Sequence, residues 1–379
     1  VAVGFSLSIT LPRAGGIGGG GFMLVYIEKD KEIFFIDYRS KSPLNSNLKD
    51  IFKYDLIDDY KKIDFNKIRE GYKASAMPGT VAGLLDAHAN FGVLTLEEIL
   101  EPVIEQAING IHVTNDLHNA IKVTKKLKEN KESKRIYYKN GLPLQEGALL
   151  KRPDLAKTLK LIATKGKDGF YKGIIKEKFI DAMKINNGFL SDNDFESYKT
   201  NIGSPLISSY KGNYIFTAGP PSGGGLVIAT SLNILNGYDL KKYGSNSAIT
   251  YHLLAESLRR GHNNRSHHIG DPNYYNVPMK SLLSQERTLE LIKTMSLKKA
   301  TPSSRIKPLD IKNESRNTTH YSIVDKDGNA VSNTFTLGYS FGSGVTIPGT
   351  GVLLNNQMGN FAYRYGDSLV QGRAGSPAN

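Results

Sequence analysis

The chain has 379 residues, 39% hydrophobic and 22% charged, an ordinary balance for a soluble globular protein with room for a well-buried core. It contains no cysteine, which excludes disulfides, thiolate catalysis and thiolate metal sites. The net charge of +13 does not single out nucleic acid, because runs such as KKLKENKESKR (125–135) mix lysine with glutamate and read as a solvated helix face.

Residues 1–12, VAVGFSLSITLP, read as the tail of a buried helix ended by Pro12. They start inside an apolar pattern with neither Met nor a cap, so a preceding segment is expected. AGGIGGGGFMLVYI (14–27) is a glycine-rich loop running into a strand, and EKDKEIFFIDYR (28–39) a turn and antiparallel return strand. Gly18 to Gly21 lack the Lys-Ser/Thr and the helix of a phosphate loop, so close backbone packing is the expected role. Residues 79–180 repeat apolar side chains at helical spacing. GNYIFTAGPPSGGG (212–225) reads as a strand ending in a turn at Gly223–Gly225, followed by helical stretches at 226–237 and 247–264. His262, His267 and His268 have no acidic partner at ligand spacing and are not read as a metal site, and Asp271-Pro272 reads as a turn. No apolar run reaches the roughly 18 residues of a membrane span. Strand pairs at both ends with helices between predict a layered α+β chain.

HYSIVDKDGNAVSNTFTL (320–337) carries the turn pair Asp327-Gly328 between two β-rich runs, a strong hairpin signature. A two-residue turn sets Thr319 opposite Thr336, and a one-residue bulge sets Thr318 beside Thr336 instead. Threonines also favour strands for no chemical reason, so this stretch alone leaves both readings open. The functional reading is that cleavage before Thr318 would give it its own α-amine. An α-amine titrates at about 7.7–8.0 and can serve as the base that a threonine hydroxyl lacks.

The stretch 317–344, NTTHYSIVDKDGNAVSNTFTLGYSFGSG, followed by GVLLNNQMGNF (351–361), resembles the γ-glutamyltranspeptidases, which are N-terminal-nucleophile hydrolases. Further matches, collinear along nearly the whole chain, are GGIGGGGFML (15–24), IDYRSKSP (36–43), MPGTVAGLLDAH (77–88), GFYKGIIKEKF (169–179), GPPSGGG (219–225) and SHHIGDPNYYNVP (266–278). The resemblance implies a four-layer αββα sandwich made jointly by a large-subunit portion, 1–317, and the start of a small-subunit portion, 318–379. It implies self-cleavage between Asn317 and Thr318, with Thr318 as nucleophile in cleavage and turnover and Thr336 as its support. Arg39 is implied to hold the donor's α-carboxylate, and Gln357 its α-amino end. Neither metal nor cofactor is implied. The implied partners are a small γ-glutamyl donor such as glutathione, a water, amino-acid or peptide acceptor, and the two subunits of one precursor. Neither nucleic acid nor a membrane span is implied, and the implied compartment is periplasmic or extracellular.

Two site positions depart from the family pattern. Asn360 stands where most members place an aspartate against the α-ammonium, and Gly338 where many have asparagine. A neutral amide accepts a hydrogen bond without charge assistance, so a strict demand for a free α-amine is not expected. The capsule depolymerases of the family, which act on poly-γ-glutamate, share the asparagine. From Thr318 to Asn379 there are 62 residues, short of the family's Ser-Ser carboxylate pair and Gly-Gly oxyanion loop, so more chain is expected after Asn379. The alternatives to a glutathione-type enzyme are a poly-γ-glutamate depolymerase or transpeptidase, and a catalytically silent basic binding protein of the same fold.

Overall fold

The computed structural model describes residues 1–46, 68–273, 275–306 and 318–360. In chain order its principal elements are α1 (Ala2–Thr10), β1 (Gly20–Ile27), β2 (Glu32–Tyr38), α2 (Thr80–Phe91), α3 (Leu96–Asn109), α4 (Pro153–Lys165), α5 (Gly173–Ile185) and β3 (Asn201–Gly203). They continue with β4 (Leu206–Tyr210), β5 (Asn213–Thr217), α6 (Gly223–Asn236), α7 (Ala248–His268), β6 (Thr319–Val324) and β7 (Ala330–Thr336). The α+β class expected from the sequence holds.

The described residues divide into two compact units, one formed within 1–203 and by 318–360 and one within 204–306. In the first, five antiparallel strands run in the order β6-β7-β1-β2-β3. Alternation along each strand gives the sheet two unlike faces. One buries Met23, Val25, Ile36, Tyr38, Asn333 and Phe335 against Phe5 and Ile9 of α1 and Leu84 and Leu85 of α2. Burying each large apolar side chain is worth about 1.5–3 kcal/mol. On this face the Tyr38 phenol donates to Asn333 Oδ1 at 2.5 Å, tying β2 to β7 across β1, and burial drives its pKa far up. The other face carries Phe22, Asp37, His320 and Thr334, with a His320 Nδ1–Thr334 Oγ1 contact of 2.6 Å.

Local signals explain the helices around this core. At α3 a capping box closes the N-terminus: Thr95 Oγ1 accepts from the Glu98 amide at 3.2 Å, and Glu98 accepts from the Thr95 amide at 2.7 Å. Pro153 opens α4, where its missing N–H costs nothing.

The glycine-rich loop packs as expected. A Cβ on Gly18 would lie 2.1 Å from the Leu353 carbonyl oxygen, and one on Gly19 2.2 Å from that of Thr336. The Gly19 carbonyl accepts from the amides of Gly79 and Thr80, at 2.8 and 3.0 Å, where α2 begins.

In the second unit, Gly223–Gly225 form the first turn of α6 rather than the expected turn, since a Cβ on Gly225 would lie 1.9 Å from the Ala218 carbonyl oxygen. The helix expected at 247–264 runs on to His268, and His267 Nδ1 meets the Asn263 carbonyl at 2.8 Å within it. Its core holds a buried ion pair, Arg260 to Glu256 at 2.7 Å, with each side chain 2% exposed.

Candidate active site

The site is built on the β6–β7 hairpin. Its loop has three residues, Lys326–Gly328, because the Asp325 amide donates to the Asn329 carbonyl at 3.0 Å and Gly328 takes φ +87. This is a turn closed by a glycine bulge rather than a two-residue turn. The Asp325 carboxylate fastens the loop. It accepts from the Asn329 side-chain amide at 2.8 Å and from the amides of Asn329 and Asp327 at 2.9 Å, and these bonds hold it below the usual carboxylate range.

The third loop residue decides the register. Thr319 pairs with Phe335, so one step further Thr318 is level with Thr336. Of the two registers the sequence left open, the bulged one forms. Thr336 pairs in turn with Gly20, and one step beyond the Gly21–Tyr38 pair Gly20 is level with Arg39. Thr318, Thr336, Gly20 and Arg39 thus stand in one row across four strands. By alternation, the side chains of Thr318, Thr336 and Arg39 belong to the face opposite the core. Neighbouring strands lie about 4.8 Å apart, so the row spans about 14 Å. Thr318 is exposed and its neighbour Thr319 is buried. Asn317 lies outside the described residues.

Arg39 is held rather than loose. Its Nε donates to Asp37 Oδ1 and its Nη2 to Asp37 Oδ2, both at 3.0 Å, and the Asp37 carboxylate also accepts the Arg39 amide at 3.1 Å. The guanidinium carbon sits 5.4 Å from the centre of the Phe22 ring. The Tyr198 hydroxyl donates to the Arg39 carbonyl at 2.8 Å.

Beyond Thr336 the chain turns sharply. The Thr336 hydroxyl accepts from the Gly338 amide at 2.9 Å, and Gly338 takes φ +100. A Cβ on Gly338 would lie 2.1 Å from Asn356 Oδ1, which accepts the Tyr339 amide at 2.9 Å. A side chain at 338 is therefore barred twice, by its backbone angle and by Asn356.

Gln357 and Asn360 open and close a single 3₁₀ turn, and the Asn360 amide donates to Gln357 Oε1. Asn355 anchors the turn. Its Oδ1 accepts from the amides of Ala76 and Gln357, both at 3.0 Å, and its Nδ2 donates to the carbonyls of Gly18 and Ala76, at 2.7 and 2.8 Å. All four hydrogen-bonding positions of a fully buried amide are thereby used.

Sequence reasoning missed three contributors. Asp37 belongs to no catalytic motif, although its spacing of two from Arg39 puts both on one face of the strand end. Asn355 lies in the GVLLNNQMGNF block, but its anchoring role gave no signal, because its partners lie in loops distant along the chain. Lys126 belongs to the run read as a solvated face, yet its ammonium donates to the Gly342 carbonyl at 2.6 Å. Burial pushes it down to about 8 against the opposing pull of Glu70.

The family model for gamma-glutamyltranspeptidase matches residues 1–379. The chain belongs to the γ-glutamyltranspeptidase family. Among its curated relatives, the glutathione hydrolase proenzyme of Escherichia coli (strain K12) is 38% identical over 382 residues, covering 100% of this chain and 65% of the relative. The chain therefore spans about two thirds of that relative's length. The solved γ-glutamyltranspeptidase of Helicobacter pylori superposes with a TM-score of 0.76 at 33% identity, over 81% of this chain and 87% of that one. The Bacillus anthracis transpeptidase enzyme CapD superposes with a TM-score of 0.58 at 28% identity, over 76% and 88%. The fold is that of the family, and the glycine-rich loop, hairpin and Asn355-anchored turn are the features of this member described above.

Proposed function

We propose that the chain is the part of a γ-glutamyl acyltransferase and hydrolase that carries its nucleophile, acting through Thr318 after self-cleavage before it. The observation that carries this reading is the bulged register, with Thr318 level with Thr336 at one end of the row and Arg39 at the other. In self-cleavage the Thr318 oxygen attacks the Asn317 carbonyl carbon. The amide C–N bond breaks as an ester forms, and the freed nitrogen takes the hydroxyl proton. Water then hydrolyses the ester, leaving the Asn317 carboxylate and a Thr318 that begins the small subunit.

In turnover the α-amine takes the proton of the Thr318 hydroxyl, and the oxygen attacks the donor's γ-carbonyl carbon. The departing amine receives that proton and an acyl-enzyme remains. Water releases glutamate, and an amino acid or peptide releases a new γ-glutamyl amide. Arg39, oriented by Asp37, holds the α-carboxylate, a task suited to a bidentate guanidinium. Thr336 keeps the nucleophile's neighbourhood fixed through Gly338. Gln357 and Asn360 meet the α-nitrogen. Export to the periplasm or exterior goes with this reading, and among the described residues no helix is long and apolar enough to cross a membrane.

Release of nitroaniline from γ-glutamyl-p-nitroanilide by the purified protein, lost in Thr318→Ala, tests the assignment. Equal turnover in that variant overturns it. A second reading, action on poly-γ-glutamate, is favoured by the amide at Asn360 and the barred side chain at Gly338, which put no acid at those two positions. Shortening of poly-γ-glutamate faster than release from the small donor would support it.

A further inference from the structure

Arg69 stands beside the candidate site without a carboxylate. Its carbonyl accepts from Asn356 Nδ2 at 3.0 Å, and its guanidinium carbon lies 5.1 Å from the centre of the Tyr339 ring. A Cβ on Gly359 would lie 3.0 Å from its Cγ. The side chain is thus bounded by the residue after Gly338 and by the turn that carries Gln357 and Asn360. Its Nε is buried and has no hydrogen-bond partner, and no carboxylate among the described residues pairs with it. Arg13, Arg39 and Arg135 of the same unit each hold an aspartate or glutamate. Glu70, next in the chain, acts on Lys126 instead.

A buried donor left unmade costs about 1–3 kcal/mol, and more when charged. Native structures leave few such groups unmade, and a bound water or anion is one way of completing them. The Tyr339 ring fixes the plane of the guanidinium by cation–π stacking and leaves its edge as the donor surface, a geometry that matches a carboxylate.

We propose that Arg69 is an anion-binding specificity residue of the donor pocket, taking a second carboxylate carried beyond the donor's α-nitrogen. This rests on the acyl-transfer reading for the placement of the donor. Among the described residues the α-nitrogen end offers the amides of Gln357 and Asn360 and no acid, and a cation beside it disfavours a free ammonium. When that nitrogen is acylated its charge is gone, and an acyl group ending in a carboxylate reaches past Asn360 to the guanidinium. The substrate class is therefore N-acylated γ-glutamyl donors with a terminal carboxylate.

The test compares N-succinyl- and N-acetyl-γ-glutamyl-p-nitroanilide, which differ in that carboxylate, in the unmodified protein, Arg69→Gln and Arg69→Lys. Calorimetric binding of N-succinylglutamate and N-acetylglutamate runs in parallel, with melting curves to establish that each variant is folded. A charge-assisted pair predicts about a tenfold preference for the succinyl compound. The preference vanishes in Arg69→Gln, is largely kept in Arg69→Lys and shrinks as salt is raised. The same preference in the unmodified protein and in Arg69→Gln, by turnover and by binding, overturns the inference. Turnover with no preference also overturns it and leaves the acyl-transfer reading standing. A preference in binding that Arg69→Gln removes, without turnover of either donor, supports the inference and counts against acyl transfer.

Discussion

Thr318 and Arg39 occupy the two ends of one row across the sheet, separated by β7 and β1. In the proposed reaction the arginine must be aimed: across about 14 Å a swing of the side chain would move the acyl carbon away from the hydroxyl. Asp37 does the aiming through two 3.0 Å bonds. Asp37→Asn keeps the shape and weakens the hold, so kcat/KM for a carboxylate-bearing donor should fall about tenfold, with kcat taking part of the loss. Steady-state kinetics check this, and an unchanged kcat/KM would contradict it.

Asn355 makes four hydrogen bonds at 0% exposure, joining the glycine-rich loop and residue 76 to the site turn. Asn355→Ala leaves two amides and two carbonyls without partners. The expected loss is about 3 kcal/mol or more, read as a lower urea midpoint. Asn355→Asp keeps both acceptor contacts but buries a carboxylate against the Gly18 and Ala76 carbonyls, and should lose at least as much as Asn355→Ala near neutral pH. A midpoint unchanged in Asn355→Ala would show that the four bonds are replaceable.

In the proposed site Gly338 bears on the donor's α-nitrogen end. Placing there the asparagine that the family resemblance leads one to expect should not create recognition of an ammonium. With φ +100 and Asn356 Oδ1 2.1 Å from the would-be Cβ, Gly338→Asn should instead lose about 1–3 kcal/mol of stability. Thermal melting together with the selectivity between γ-glutamyl and glutaryl anilides decides it. Higher selectivity at full stability would mean that Asn356 yields easily.

The Arg260–Glu256 pair gives a pH prediction for the second unit. Burial opposes ionisation of Glu256, but the Thr301 hydroxyl and amide and the Arg260 guanidinium outweigh it and hold the carboxyl down at about 2, against an ordinary 4.5. A lowered folded pKa means the contribution is complete above about pH 4.5 and lost as pH falls toward 2. Arg260→Ala leaves the buried carboxylate to the Arg259 guanidinium, at 2.6 Å, and to Thr301, at a cost of about 1.5–3 kcal/mol near neutral pH. Below pH 4.5 the difference between the variant and the unmodified protein should narrow. A constant difference from pH 7 to pH 3 would contradict this.

Much of this site was legible in the sequence because it is local. The Asp-Gly turn, the alternation of β6 and β7, and the clustered glycines before β1 all lie within short windows. Even the bulged register was one of two outcomes fixed by the loop. What stayed hidden depends on contacts between distant segments. Asn355 bonds the Gly18 carbonyl across 337 positions, and Arg69 meets Tyr339 and Gly359 from a stretch with no motif of its own. Lys126 was hidden for another reason: a lysine in a charged run looks solvated until the loop it reaches is known. The error at Gly223–Gly225 has the same origin, since those glycines serve close packing rather than chain reversal.

The central claim concerns the Asn317–Thr318 bond. Denaturing mass spectrometry of the purified protein and of Thr318→Ala tests it directly. The account predicts two fragments in the unmodified protein, the later one beginning at Thr318, and one uncut chain in the variant. A single intact chain in the unmodified protein, or the same cut in Thr318→Ala, would contradict it.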